Sequence, residues 1–230
     1  MKKNLPLFIS LFVVFAAISC GSNKYATDDF KKTTANHEVV ALLPIQLTYS
    51  GQLPKDMKSM NMDSLNENES GKIQEQLYFE LLRNNHPRKK NSRLITYQSL
   101  QTTNATLQEK GLNIKDLYKK DPKEIAAALD VDAVLFTKVE RRILIGDKTT
   151  NAVNTGERAI DMVLGIAGAN VRTPNLPAGR IYFTISLNEK EKGNTLWQIN
   201  DVMEYGTKYM NEEVIRSFAE FAGRKIPYRR

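Results

Sequence analysis

The spacing of apolar residues changes along this chain and divides it into strands and helices. Val39-Val40-Ala41-Leu42-Leu43-Pro44-Ile45 is nearly all apolar, as in a strand covered on both faces, and Pro44 ends or kinks it. Residues 50–63 are polar, with Gly51, Pro54 and three Met, and read as a loop. From Ser64 the period becomes helical. Ser64 and Glu67 form a capping box, Ile73, Leu77, Leu81 and Leu82 make one face with Tyr78 beside it, and Asn84-Asn85-His86-Pro87 stops the helix. Leu94-Ile95-Thr96-Tyr97 is a short strand, and residues 99–110 form a modest helix closed by Gly111. Asp121-Pro122-Lys123-Glu124 supplies an N-cap, a proline at the first helical position and an acid three residues after the cap. Ile125, Ala128 and Leu129 then form a buried stripe. Ala133 to Val139 begins a strand that runs on to Ile145.

Residues 146–179 break this order with Gly, Pro, Asn and Thr, yet carry an apolar patch from Ala159 to Ala169. As a helix, the patch places Ile160, Val163, Leu164 and Ala167 on one face. As a strand, Ile160, Met162, Leu164 and Ile166 alternate with Ala159, Asp161, Val163 and Gly165. Gly165 and Gly168 weaken either choice. The patch is core, or else an element facing a partner or a membrane, with Ile160, Met162, Val163, Leu164 and Ile166 as the candidate contact residues. Two strands follow, Ile181–Leu187 and Thr195–Met203, as a hairpin around Glu189-Lys190-Glu191-Lys192-Gly193-Asn194. Residues 211–223 make a last helix with Val214, Ile215, Phe218 and Phe221 inward. The predicted order is β-α-β-α-α-β-β-β-α, an α/β fold with a single mixed β-sheet packed by helices.

The beginning of the chain has a different character. Lys2 and Lys3 precede an apolar run from Leu5 to Ile18, and Ser19-Cys20-Gly21 follows. A basic start, a short apolar stretch and a small residue before the cut are the parts of an export signal. The run includes Pro6 and Ser10 and falls short of the roughly 20 apolar residues that a spanning helix needs. Ala17-Ile18-Ser19-Cys20 resembles a relaxed bacterial lipobox, in which the thiol of the new first residue is acylated. An ordinary cleaved signal followed by an incidental thiol is the competing reading. Gly21 follows where an Asp would favour retention in the inner membrane under enterobacterial sorting rules, so an outer-membrane anchor facing the periplasm is expected. The domain plan is a signal peptide over 1–19, a flexible tether over 20–36, and one α/β domain over 37–230 with an insertion near 146–179. Fully extended, residues 21–36 would hold that domain up to about 50 Å from the lipid.

Composition and charge narrow the function. The chain has 230 residues, 41% hydrophobic and 26% charged, with a formal charge of +7, which is ordinary globular composition. Its basic residues cluster at Arg88-Lys89-Lys90 with Arg93, Lys119-Lys120, Arg141-Arg142, Arg224-Lys225 and Arg229-Arg230. An exported chain meets no chromosome, so these read as solvated surface, or as contacts to anionic headgroups or an acidic partner, with no nucleic acid. Cys20 is the sole cysteine, so its acylation leaves no disulfide. The only histidines, His37 and His86, lack metal-ligand spacing, no Gly-x-Ser-x-Gly elbow is present, and no glycine-rich phosphate loop follows a strand. Asp28-Asp29 and Asp130-x-Asp132 read as surface or capping carboxylates. Trp197, with Tyr182, Phe183 and Tyr205, reads as core packing across the hairpin or as a binding stack. No enzyme, metal or cofactor is expected.

Three stretches resemble a known superfamily. They are Val39-Val40-Ala41-Leu42-Leu43-Pro44; Asp132-Ala133-Val134-Leu135, like a "Gly-x-Asp-Ala-Val" stretch but with Asp130 and Val131 in place of its Gly region; and Gly193-Asn194-Thr195-Leu196-Trp197, like a "Gly-x-x-x-Trp" hairpin. The resemblance covers roughly residues 38–205. It is to the group holding the curli-assembly lipoprotein channel, the amino-terminal domain of the Tol-system propeller protein and the lipoprotein activator of penicillin-binding proteins. It implies an α/β domain like that Tol domain, working by contact with another envelope protein or with itself and carrying no catalytic centre. The alternative it raises is a subunit of an outer-membrane secretion channel. Such a barrel needs hairpins of roughly 9–11 residues per strand, and only 146–179 could supply one.

Overall fold

Eleven residues of strand β5 (Ala133–Ile143) form the spine on which the rest of the sheet is assembled. The computed structural model describes residues 23–53, 61–85, 94–144, 177–206 and 212–228. β6 (Pro177–Glu189) pairs antiparallel with β5, and β7 (Thr195–Gly206) pairs antiparallel with β6. On the other side of β5 two strands lie end to end, both parallel to it. β2 (Val39–Leu42) pairs with residues 133–135, and β3 (Gln46–Gly51) pairs with residues 138–143. β4 (Thr96–Tyr97) closes the β2 side and β1 (Asn23–Ala26) the β7 side. The sheet is mixed and seven-stranded, in the order β1-β7-β6-β5-β2-β4 with β3 beside β5. The single mixed sheet expected from the pattern is present.

Strand alternation sends side chains to two faces. On the first face, Leu42, Leu135, Ile185, Leu187 and Trp197 pack under helix α2 (Met62–Asn84) and helix α6 (Glu212–Gly223). Phe183 meets Phe218 edge-on at 5.1 Å between ring centroids, an arrangement that adds about 0.5–1.5 kcal/mol beyond burial. On the second face, Ala41, Leu43, Val134 and Phe136 pack under α3 (Leu100–Glu109), α4 (Ile114–Leu117) and α5 (Pro122–Leu129). These three helices cover β2 and the adjoining parts of β5 and β6. Among the described residues, no helix covers the second face over β7 and the distal half of β6.

Several expectations need correction. Residues 23–36 are not a free tether. β1 pairs with β7, helix α1 (Phe30–Thr33) and a 3-10 turn (Thr34–Asn36) follow, and Thr34 is buried. The segment lacks apolar periodicity because backbone pairing, not an apolar face, holds β1: all four of its side chains are exposed. The strand predicted over 39–45 ends at Leu42, before Pro44, which has no N–H to donate, and a second strand, β3, begins beyond it at Gln46. β3 lies partly in what read as loop. The long helix starts three residues earlier than expected, with Asn61 instead of Ser64 as the cap, accepting from the amides of Asp63 and Ser64. Ser64 and Glu67 are therefore inside the helix. The helices at 100–109, 122–129 and 212–223 lie where the pattern places them. Cys20, His86 and the whole Ala159–Ala169 patch, with Ile160, Met162, Val163, Leu164 and Ile166, lie outside the described residues.

Candidate functional site

The break at Pro44 organises the surroundings of β3. Around it the carbonyls of Leu42, Pro44 and Ile45 are met by side chains and not by a neighbouring strand, as buried carbonyls require. Two polar positions inside the apolar stripe of α2 provide them. Gln74 Nε2 donates to the Leu42 carbonyl at 3.1 Å, and Ser70 Oγ donates to that of Ile45 at 2.5 Å. From the other face, the Tyr118 hydroxyl lies 3.0 Å from the Pro44 carbonyl and 2.6 Å from that of Thr137. It also accepts from the amides of Thr137 at 3.1 Å and Gln46 at 3.3 Å. Burial pushes the Tyr118 phenol far above its ordinary pKa, against the backbone amides that pull it down, so it stays a neutral donor.

β3 pairs with β5 on one side, and among the described residues no strand pairs with its other side. That outer edge opens into a groove between α2 and the α3–α4 region. One depression of about 510 Å³ is lined by Ile45–Thr48, Asn66, Ile114 and Lys115. A second of about 550 Å³ continues between Gln74, Asn104, Leu107 and Gln108. The two share Glu67, Ser70, Asn113 and Ile114. Lys115 bridges to Asp63 at 3.0 Å, a pair so exposed (74% and 72%) that it contributes about 0–1 kcal/mol. Hydrogen bonds from Asn113 and then Lys119 hold the Asp116 carboxyl below its ordinary range. Asn66 Oδ1 is buried and has no hydrogen-bond partner among the described residues. An unpaired strand edge beside a mixed polar and apolar groove can accept an extended segment as an added strand.

Farther along β5, Arg141 is buried and ion-paired with Glu69 of α2. Its guanidinium stands 4.8 Å over the Tyr49 ring and donates to the Tyr49 hydroxyl at 3.0 Å, while that hydroxyl donates to Glu69. Desolvation drives the Tyr49 phenol upward despite Arg141. The three groups bind one another and tie α2 to β3 and β5. This is a structural cluster rather than a reactive one.

The carboxylates separate as capping groups. Asp132 accepts from the amides of Glu38 at 2.7 Å and Val39 at 2.9 Å and so fixes the start of β2. Asp130 ends α5 in the left-handed conformation, φ +51°, where the resembled motif carries glycine. Asp is among the few side chains that tolerate that conformation. Its carboxylate pairs with Lys190 at 3.0 Å. His37 is buried, with Nδ1 2.6 Å from the Tyr228 hydroxyl. Trp197, Phe183 and Tyr205 are core, and Tyr182 points to the opposite, uncovered face. Among the described residues no group of three or more His, Cys, Asp or Glu could hold a metal, and no helix is long and apolar enough to cross a membrane.

The sequence signals did not reveal the groove. Asn113 followed by Asp116 was a readable cap for α4, since Asn113 accepts from the Asp116 amide at 3.0 Å. Ser70 and Gln74 looked like ordinary polar helix positions.

No family model matches the chain, and no curated protein matches it. Solved structures do. The lipoprotein GNA1162 from Neisseria meningitidis is 11% identical over 81% of this chain and 94% of its own, with a TM-score of 0.45. The LpoB C-terminal domain from Salmonella enterica is 14% identical over 85% and 93%, with a TM-score of 0.38. The PelC dodecamer from Paraburkholderia phytofirmans is 9% identical over 87% and 92%, with a TM-score of 0.40. All three fall below a TM-score of 0.5.

Proposed function

We propose that this chain is a lipid-anchored lipoprotein of the bacterial envelope, held at the outer membrane by acylated Cys20 and facing the periplasm, that acts without catalysis as a protein-interaction or assembly module. The observation that carries the interaction reading is the unpaired outer edge of β3, open to the groove between α2, α3 and α4. The groove lies on the side of the sheet away from β1, the strand nearest the anchor. A partner in the same compartment, or a second copy, would add an extended segment along β3 and seat side chains against Ile114 and Leu107. Main-chain pairing supplies affinity in this mode, and the pockets supply specificity.

Two experiments test it. Metabolic labelling with palmitate reads the anchor: Cys20→Ala abolishes incorporation, and unchanged incorporation overturns the lipoprotein assignment. A photo-crosslinking residue at Ile114 or Gln108 in intact cells captures a discrete species that the same residue at Lys192, in the β6–β7 turn, does not. Equal recovery from all three positions, or from none, defeats the groove as the contact site.

A further inference from the structure

The chain leaves the described structure at Asn23, and Asn23 is the first residue of β1, which pairs with β7 through Asn23↔Asn200 and Tyr25↔Gln198. Cys20 precedes Asn23 by three residues, which span at most about 10 Å when fully extended. An acyl group on Cys20 therefore enters the bilayer beside this edge of the sheet, with no tether to separate them.

Next to that edge is the uncovered face. Opposed residues in an antiparallel pair share a face, so Tyr25, Gln198, Asn200 and Val202 point the same way. Tyr25 is 53% exposed and Val202 is 45% exposed, two of the few large apolar side chains exposed among the described residues. Tyr182 stands opposite Val202 on β6, with the Arg142 guanidinium 4.8 Å above its ring. Arg180 and Lys138 lie on the same face in the neighbouring rows. Glu140 pairs with Arg142 at 3.0 Å and Glu204 with Arg180 at 2.8 Å; both pairs are solvent-exposed and weak, so the face carries three cations against two acids, and its arginines can exchange partners for headgroups.

We propose that this face, with Tyr25, Tyr182 and Val202 among Lys138, Arg142 and Arg180, rests on the headgroup layer of the bilayer that holds the Cys20 acyl chains. The proposal depends on Cys20 being lipidated. Tyrosine suits this layer because its ring is apolar and its hydroxyl polar. Arg and Lys lay apolar stems on the surface and direct their charge to anionic headgroups. Two tyrosines and a valine would bind weakly from solution. A three-residue connection to the acyl group turns their binding into an intramolecular event at high effective concentration. The α3–α5 layer stands on the same face over β2, so the domain meets the membrane tilted onto its β1–β7 edge, and the groove opens beyond β5, toward the other edge of the sheet.

The test uses the lipidated full-length protein carrying Val202→Cys or, separately, Phe79→Cys on the outside of α2. Acylation blocks Cys20, so a maleimide fluorophore labels only the new thiol. The labelled proteins are reconstituted on vesicles of phosphatidylethanolamine and phosphatidylglycerol, with or without a lipid carrying a nitroxide near the headgroup. The Val202 label lies at headgroup depth and loses intensity about twofold when the nitroxide is present, while the Phe79 label is unchanged. Flotation with the vesicles reports the anchor independently. Protein that floats without quenching at Val202 leaves the face free for a protein and overturns the lipid assignment. Equal quenching at both positions overturns it too. Protein that does not float refutes lipidation of Cys20, and the docking falls with it.

Discussion

The hydroxyl of Tyr118 stands 3.0 Å from the carbonyl oxygen of Pro44, in the rung that proline removes from the sheet. A side chain from the α3–α5 layer thus replaces backbone pairing between β2 and β3 and keeps both aligned on β5. Tyr118→Phe retains the ring, which packs edge-on against Phe136 at 5.2 Å, and removes the hydroxyl. The variant should lose about 1–3 kcal/mol, the cost of leaving buried backbone groups unpaired. Urea unfolding measures this as a lower midpoint at constant slope. A midpoint unchanged from wild type would mean that the rung is closed without the hydroxyl.

Leu135 is fully buried in the middle of β5, opposite Leu42 on one side and Leu187 on the other. Leu135→Ala should cost about 2–5 kcal/mol through lost burial and the cavity left behind. Equilibrium denaturation reads it, and a cost under about 0.5 kcal/mol would contradict the core position.

Glu69 neutralises buried Arg141, whose side chain is 6% exposed. Glu69→Ala should destabilise by about 3 kcal/mol because it takes the ion-pairing carboxylate of α2 away from that buried charge. Combining it with Arg141→Met should restore part of the loss, since the buried charge is then gone. A double variant no more stable than the single one would show that packing of the guanidinium, not its charge, dominates.

Asp132 gives the acid dependence a defined sign. Burial alone would raise its pKa, but the amides of Val39 and Glu38, with the nearby His37 and Lys190, outweigh burial and hold it below the ordinary value. A folded-state pKa below the unfolded one stabilises above the unfolded value, about 3.9, and that stabilisation fades as pH falls through the folded value. Asp132→Asn keeps an oxygen that accepts from both amides and loses only the charge, so it should cost about 0.5–1.5 kcal/mol at neutral pH and approach wild type in strong acid. Thermal melts of both proteins from pH 7 to pH 2 show this as converging curves. Parallel curves would exclude Asp132 as a contributor.

Periodicity exposed most of the fold because most elements bury a stripe. Ile125 and Leu129 in α5, Phe218 in α6 and alternating Phe183 and Ile185 in β6 are such signals, and each lies in the core. β1 gave none because its four side chains face solvent and its pairing is through backbone atoms. Pro44 marked the break between β2 and β3, but the continuation as β3 was hidden: Gln46, Tyr49 and Ser50 are only partly buried and Thr48 is exposed. The groove was hidden for the converse reason. Ser70 and Gln74 are as buried as their apolar neighbours, at 3% exposure each, and their partners are carbonyls that no composition reveals. The two carboxylates of Asp130-x-Asp132 were legible as caps because an acid after a helix has few other roles. The geometry then gave them different tasks.

The contact between His37 and Tyr228 joins positions 191 residues apart in the chain. β1 likewise waits for β7, more than 170 residues downstream. Contacts of such long sequence separation form late, after local elements have condensed. During synthesis, residues 23–26 therefore await their partner strand until residues 197–200 have been delivered. An enzyme that cuts before Cys20 or acylates it would meet an accessible substrate throughout that interval. Completion of folding would then draw residues 23–26 against the edge of the sheet, so that order of emergence would separate the time for any modification from the time for assembly.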